Sequence, residues 1–350
     1  MKVSIGTNIK DGPWGGGNLF AVNLKEYLLK NGHDVVHNLN HDDLDIILIT
    51  EPRKTSESSA FTHVQVENYL RFHNNDAIVV HRINECDERK GTNFVNRYLI
   101  EANKIADHTV FVSNWLKDLY INQGMRGDRK TVILAGANRK IFNSSDKSIW
   151  KEGKKLKLIT HHWGANKNKG FDVYKKIDNL METEKWKSKI DFTYIGNLPA
   201  KFKFQNAKHI PPLSGEELAK EIKQNHIYIT GSINEPSGNH HIEGSQCGLP
   251  IMFIESGGVT EYCENYGVSY TFETLESKIK FVSKNYENLS LKISQYPNNS
   301  DKMAQEFLDL FENLLEKKEA ILGKRNLSKN TNIQNIIFQS KKFIFKYLKL

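Results

Sequence analysis

Short apolar runs alternate with amphipathic stretches along the first half of this chain. The apolar runs are rich in Val and Ile, as in buried strands, whereas the amphipathic stretches repeat their apolar residues every three or four positions, as in helices. The predicted strands cover residues 2–7, 34–36, 44–49, 77–81, 109–112 and 131–134. The predicted helices cover residues 18–30, 62–73, 93–105 and 114–122. This alternation predicts a parallel sheet with helices on both faces.

The pattern is interrupted once and then resumes. The charged, turn-rich residues 139–155 predict a linker. Beyond it, strands are predicted at residues 156–160, 190–195, 227–230 and 251–254, followed by a helix at 301–322. We therefore expect an α/β protein with two doubly wound, Rossmann-like domains and a ligand cleft at the carboxyl ends of their strands. The predicted boundaries are 1–140 and 156–300 for the domains, 141–155 for the linker and 301–323 for a C-terminal helix.

Composition narrows the class of protein. The chain has 350 residues, of which 39% are hydrophobic and 26% are charged, as in a soluble protein of two domains. Its widely spaced cysteines, Cys86, Cys247 and Cys263, predict neither a disulfide framework nor a zinc site. We expect a cytoplasmic location, because the sequence has no apolar leader and no run of 18 apolar residues.

The basic charge is concentrated in residues 324–350. These contain six Lys, one Arg and no acidic residue, whereas the formal net charge of the whole chain is +8. On a helix, most of the apolar side chains would share one face, which predicts either binding to an anionic membrane surface or packing on the protein itself. Membrane binding would place the protein peripherally at the inner face of the plasma membrane. Charge elsewhere is nearly balanced, so no nucleic acid partner is expected.

Two carboxylates flank a glycine turn in the segment E-P-S-G-N-H-H-I-E, from Glu235 to Glu243. A predicted strand precedes this turn and a predicted helix follows it. The N-terminus of such a helix presents free N–H groups and a positive dipole to an anion such as phosphate. The segment therefore predicts a sugar-nucleotide site in which the two glutamates accept hydrogen bonds from sugar hydroxyls.

A cluster of glycines follows the first predicted strand, in the segment G-P-W-G-G-G-N from Gly12 to Asn18. Adjacent glycines let the backbone approach a ligand or a facing domain, although they could also form only a flexible turn. A dinucleotide fingerprint needs the spacing G-x-G-x-x-G and an acidic residue about 20 positions later. The spacing here therefore disfavours a dehydrogenase.

Two lysines, Lys167 and Lys169, lie in the loop after the first strand of the second domain. Ammonium groups in such a loop can stabilise a diphosphate leaving group, although a solvated basic loop is the alternative. The preceding pair, His161 and His162, suggests a metal site. Adjacent strand residues point to opposite faces, however, and no third ligand is evident.

In their order along the chain, these motifs resemble the retaining glycosyltransferases of the GT-B fold, of the family-4 type (glycosyltransferase group 1), over residues 1–322. The most specific match is the E-x₇-E motif, and the glycine loop, the Lys-Gly pair and the segment S-N-W-L from Ser113 agree with it. The resemblance implies that Glu243 holds the ribose, Glu235 contacts the donor sugar and Lys169 contacts the diphosphate. The donor-binding residues predicted in this way are Gly16, Gly17, Lys167, Lys169, Gly238, Asn239, His240 and Glu243.

The sequence departs from this family at two places. Relatives often carry an arginine five or six residues before the lysine, where this chain has Gly164 and Trp163. Phosphate binding must therefore be organised differently, with Lys167 or Asn166 as possible substitutes. Many relatives are apolar where this chain has N-H-H from Asn239, so His240 either faces the donor sugar or is structural.

On the acceptor side, the strand at residues 77–81 is expected to bring His81 and Arg82 into the cleft. Relatives have an active-site histidine here, so the resemblance implies that His81 and Glu235 are catalytic; a purely structural histidine is the alternative. Arg82 and Glu85 are predicted to contact the acceptor.

The predicted function is transfer of a sugar from a nucleotide diphosphate to a hydroxyl acceptor with retention at the anomeric carbon. The acceptor would be a glycan or a lipid-linked molecule in surface polysaccharide or glycolipid synthesis. Relatives need no divalent metal, so no metal or other cofactor is expected. The alternatives are a nucleotide-sugar 2-epimerase of the same fold and a non-catalytic protein that binds a membrane surface.

Overall fold

The computed structural model describes residues 1–12, 15–325 and 327. Apart from Lys324, Arg325 and Leu327, the predicted basic amphipathic tail lies outside the described residues. Among the helices of the described ranges, none is long and apolar enough to cross a membrane.

The first domain is built on a parallel sheet with the strand order β2-β1-β3-β4-β5-β6. Its strands are β1 (Lys2–Ile5), β2 (Asp34–Val36), β3 (Ile46–Ile49), β4 (Ile78–Ile83), β5 (His108–Phe111) and β6 (Lys130–Val132). Its helices are α1 (Gly15–Lys30), α2 (His63–Phe72), α3 (Asp87–Lys90), α4 (Val95–Ala102) and α5 (Asn114–Asn122). The strand order reverses between β1 and β3, so the topological switch point of this sheet lies between these two strands.

The second domain has a parallel sheet with the order β12-β11-β10-β7-β8-β9. Its strands are β7 (Leu156–His162), β8 (Ile190–Gly196), β9 (Lys208–Ile210), β10 (Ile227–Thr230), β11 (Ile251–Phe253) and β12 (Gly267–Ser269). Its helices are α6 (Phe171–Leu180), α7 (Gly215–Lys223), α8 (Asn239–Gln246), α9 (Val259–Cys263), α10 (Leu275–Lys284) and α11 (Tyr286–Ile293). The switch point lies between β7 and β10, and the prediction of two doubly wound domains is confirmed.

The sheets are buried on both faces, which explains their continuous apolar strands. All four residues of β3 are fully buried. Burial of one such aliphatic side chain contributes about 1.5–3 kcal/mol. Two further helices, α12 (Ser300–Glu316) and α13 (Lys318–Leu322), end the described chain. Helix α12 packs on the first domain, where the ring of Phe307 lies 5.1 Å from that of Phe20.

The chain passes between the domains twice, and the two passages touch. The N–H of Ser300 donates to the carbonyl of Ala137 at 2.8 Å. A Cβ on Gly136 would lie only 2.1 Å from the backbone of Asn299, so only glycine fits there. The predicted linker, residues 141–155, follows this passage and packs on the second domain. For example, the backbone N–H of Ser148 donates to the carbonyl of Lys223 at 2.7 Å.

A carboxylate of the second domain caps a helix of the first. Glu261 accepts hydrogen bonds from the backbone N–H groups of Asn114 at 2.8 Å and Trp115 at 2.7 Å. These groups begin α5 and have no partner within the helix, and the helix dipole also favours a negative charge at this end. The S-N-W-L segment therefore forms a contact between the domains.

Replacing this cap should destabilise the protein. We expect Glu261→Ala to lower the free energy of unfolding by about 1 kcal/mol, as for the loss of other helix caps. Thermal unfolding followed by circular dichroism measures this effect as a lower Tm. Glu264→Ala, at a nearby exposed position, is the matched control. Equal Tm values for the two variants would contradict a capping role.

Candidate active site

A cleft of about 420 Å³ lies between the domains at the carboxyl ends of their sheets. The loop after β1 and the end of β4 line one side, and the loop after β7 and the turn before α8 line the other. Both topological switch points open into it, and doubly wound sheets bind their ligands at such points.

Two helix N-termini meet in this cleft. Helix α1 begins at Gly15, three residues before its predicted start, so Gly16 and Gly17 belong to its first turn. Helix α8 begins at Asn239, after Gly238 with its φ of +82°. A Cβ on Gly16 would lie 2.9 Å from Oδ1 of Asn239, so any larger residue there would displace the side chain of Asn239. Because neither first turn carries an acidic residue, both ends favour an anion.

Lys169 and Glu235 form a buried ion pair in the cleft. Their Nζ and Oε2 atoms are 2.5 Å apart, and each side chain is only 9% exposed. The short helical turn that carries Lys169 ends at Gly170, with a φ of +86°, and a Cβ there would lie 2.4 Å from the backbone of Gly231. Lys167 starts the same turn but is exposed and does not line the cleft.

Arg89, from the first domain, approaches the same carboxylate. Its Nε is 3.8 Å from Oε1 of Glu235, and it donates to Oε1 of Glu85 at 2.8 Å. Burial acts to raise the pKa of Glu235, but the charges of Lys169 and Arg89 outweigh it and lower the pKa to about 2. Glu235 is therefore ionised at neutral pH, within a chain of charges that runs Glu85, Arg89, Glu235, Lys169 from one domain to the other.

Glu243 is buried in α8 and lines the cleft. Its Oε2 lies 2.7 Å from Nε2 of His161, whose Nδ1 lies 3.0 Å from the hydroxyl of Tyr228. Within the described chain, Oε1 of Glu243 has no hydrogen-bond partner, so this oxygen is available to a donor such as a hydroxyl. The sequence suggested His161 only as a metal ligand and gave no sign of this contact, because the two residues are 82 positions apart.

Two further histidines line the cleft beside them. The rings of His162 and His240 lie 4.5 Å apart. Nε2 of His162 is 2.6 Å from the hydroxyl of Tyr174, and Nε2 of His240 is 2.8 Å from that of Thr230. Burial lowers the pKa of both histidines well below the ordinary value, so they are neutral at pH 7. In the parts of the chain that the structure describes, no group of three or more His, Cys, Asp or Glu could hold a metal ion.

On the first-domain side, the structure brings Arg82 to the cleft but not His81. His81 points to the other face of the sheet, where its Nδ1 lies 2.9 Å from Oδ1 of Asn103, and burial lowers its pKa to about 4. Adjacent strand residues face opposite ways, so only one of this pair can face α1. That one is Arg82, whose guanidinium lies 3.8 Å above the ring of Phe20. Glu85 does not line the cleft but holds Arg89 and Lys90.

No protein-family model and no curated protein matches this sequence. Solved structures do match it. HepE of Anabaena in complex with UDP-glucose has 14% sequence identity and a TM-score of 0.67, over 90% of this chain and 100% of that chain. A glycosyltransferase from Rickettsia africae has 15% sequence identity and a TM-score of 0.64, over 90% of this chain and 98% of that chain. Sucrose-phosphate synthase from Thermosynechococcus elongatus has 13% sequence identity and a TM-score of 0.63, over 90% of this chain and 99% of that chain. These likenesses confirm the GT-B fold.

The charge of Glu235 should make stability depend on pH. Its folded-state pKa of about 2 lies below the ordinary 4.5. The ionised form therefore stabilises the fold fully above pH 4.5, and this contribution is lost as the pH falls toward 2. Over this range, we expect the wild type to lose up to about 3 kcal/mol of unfolding free energy relative to Glu235→Gln, which has no charge at this position.

Urea unfolding at pH 7, 4 and 3 measures this shift. Glu182→Gln, at an exposed position, is the control and should differ little from the wild type in its pH dependence. A difference between the wild type and Glu235→Gln that stayed constant from pH 7 to 3 would show that Glu235 is not held by these cations.

Proposed function

We propose that this protein is a glycosyltransferase that moves a sugar from a nucleotide diphosphate to a hydroxyl acceptor with retention. The observation that carries the proposal is the convergence of two helix N-termini, the Lys169–Glu235 pair and the available oxygen of Glu243 in one GT-B cleft. Such a cleft combines an anion site with acceptors for hydroxyls. The likeness to a structure whose complex contains UDP-glucose supports a uridine nucleotide as the first donor to test.

The donor would lie along the wall formed by the second domain. Glu243 accepts hydrogen bonds from the ribose, while Lys169 and the N-terminus of α8 stabilise the negative charge that develops on the leaving diphosphate. Glycosyl transfer passes through a transition state with positive charge on the sugar ring. The ionised Glu235 is suited to stabilise that charge.

Retention requires the acceptor to attack from the face that the diphosphate leaves. In the mechanism we propose, the acceptor oxygen bonds to the anomeric carbon as the bond to the phosphate oxygen breaks. The acceptor proton passes to that phosphate oxygen, so neither a protein base nor a metal is needed. Closure around the reactants contributes by positioning them and excluding water.

Arg82 is the first-domain residue that we propose for the acceptor. It is 4% exposed, and burial lowers its pKa to about 10, so it stays charged at neutral pH. The described residues provide no carboxylate or hydrogen-bond partner for its guanidinium. A glycan or lipid-linked acceptor in surface polysaccharide or glycolipid synthesis is the class that we propose, with peripheral attachment to the inner membrane surface through residues 324–350.

Nucleotide binding is the first test of this function. We expect UDP or another nucleoside diphosphate to raise the Tm of the wild type in a thermal-shift panel, because a ligand of the folded state stabilises it. Glu243→Ala should abolish the shift. Sugar transfer measured with the matching nucleotide sugar should persist in EDTA. No shift with UDP, GDP, ADP or their sugars would refute the proposal, whereas turnover of the donor without an acceptor would indicate an epimerase.

The two lysines of the loop after β7 should differ sharply in importance. We expect Lys169→Ala to lower kcat about 100-fold or more, as for the loss of other groups that stabilise transition-state charge. Lys167→Ala, two residues away but exposed and outside the cleft lining, should change kcat less than about threefold. Steady-state kinetics with saturating donor measures both. Equal losses would mean that the loop acts through its overall charge.

A further inference from the structure

We infer that His161 is a positioning residue, which orients the carboxylate of Glu243 toward the ribose hydroxyls of the donor nucleotide. The inference rests on the proposed function, since it concerns the same nucleotide site. Its physical basis is a chain of three side chains, Tyr228, His161 and Glu243, contributed by β10, β7 and α8.

His161 is within hydrogen-bonding distance of both Tyr228 and Glu243, and all three side chains are almost fully buried. His161 and Glu243 have side-chain exposures of 10% and 6%, and Tyr228 is fully buried. Water therefore has little access to the 2.7 Å contact between Nε2 of His161 and Oε2 of Glu243. A buried carboxylate without a donor would be strongly destabilised, and within the described chain His161 is the donor that it has.

The contacts of Tyr228 favour one position for the proton on the ring of His161. The hydroxyl oxygen of Tyr228 accepts the backbone N–H of His161 at 3.1 Å, and its own O–H lies 3.0 Å from Nδ1 of the ring. If the hydroxyl donates to Nδ1, the neutral imidazole must carry its proton on Nε2. That proton then points at Glu243, so each of the three side chains has a hydrogen-bond partner in this arrangement.

In this arrangement, the two carboxylate oxygens of Glu243 have different partners. Oε2 is occupied by His161, which fixes the rotation of the carboxylate. Oε1 is thereby directed to the cleft, where a ribose hydroxyl can donate to it. Groups that hold a binding residue in its productive orientation reduce the ordering that the ligand must impose on binding.

The contribution of His161 should therefore depend on the ribose hydroxyls. We expect His161→Leu to raise the Kd for UDP about tenfold, comparable to the loss of a hydrogen bond to a charged group. With 2′,3′-dideoxyuridine diphosphate, the wild type and His161→Leu should differ less than about twofold. His161→Gln, whose amide can donate to Glu243, should recover most of the affinity for UDP. Tyr228→Phe should show a smaller loss than His161→Leu.

Isothermal titration calorimetry on the full chain measures these affinities, with circular dichroism to confirm folding. His226→Gln is the matched control. His226 is also a buried histidine of the second domain, but it lies at the amino end of β10, away from the cleft. Its Kd for UDP should equal that of the wild type. In donor kinetics, His161→Leu should raise KM more than it lowers kcat.

Three outcomes would overturn the inference while leaving the proposed function intact. One is unchanged affinity of His161→Leu for UDP, another is an equal loss with UDP and with the dideoxy nucleotide, and the third is no recovery in His161→Gln. If His161→Leu does not fold, Tyr228→Phe decides, because unchanged affinity for UDP or an equal loss with the dideoxy nucleotide would overturn the inference. Failure of the wild type to bind any nucleoside diphosphate would instead refute the proposed function.

Discussion

The chain of charges from Glu85 to Lys169 is the interaction on which the cleft depends. A buried carboxylate is strongly destabilised unless cations and hydrogen-bond donors compensate it, and Glu235 is compensated by one cation from each domain. Since Arg89 belongs to the first domain, the site has its full set of charges only when the domains lie together. A bound diphosphate would compete with Glu235 for Lys169, so under the proposed function donor binding would be electrostatically coupled to the contact between the domains.

Neighbouring contacts anchor the same loops. The amide of Asn168, next to Lys169, donates to the carbonyls of Glu88 and Arg89 at 3.0 Å each. On the far side of the glutamate turn, a Cβ on Gly258 would lie 2.6 Å from the hydroxyl of Ser113. The loops that carry the site are therefore shaped by the first domain as well as by their own, which explains why small residues recur where the two meet.

The sequence was sufficient for the fold and for the position of residues that depends on local spacing. Hydrophobic periodicity predicts both sheets, and the glycine turns place Glu243 and Lys169 beside helix ends. It was insufficient where a role depends on which face a side chain takes or on a distant partner. Alternation along β4 separates His81 from Arg82, but only packing on α1 decides which of them reaches the cleft. The contact between His161 and Glu243 joins elements that are remote in sequence.

The starting point of the basic segment constrains any membrane role. Arg325 pairs with Asp107 and donates to the carbonyl of Ala77 at 2.7 Å, so the chain reaches residue 327 near the amino end of β4. The cleft lies at the carboxyl end of that strand, about 20 Å away. Any membrane contact made beside Arg325 would therefore hold the amino ends of the first domain's strands at the membrane, and a lipid-linked acceptor would have to reach the cleft across this distance.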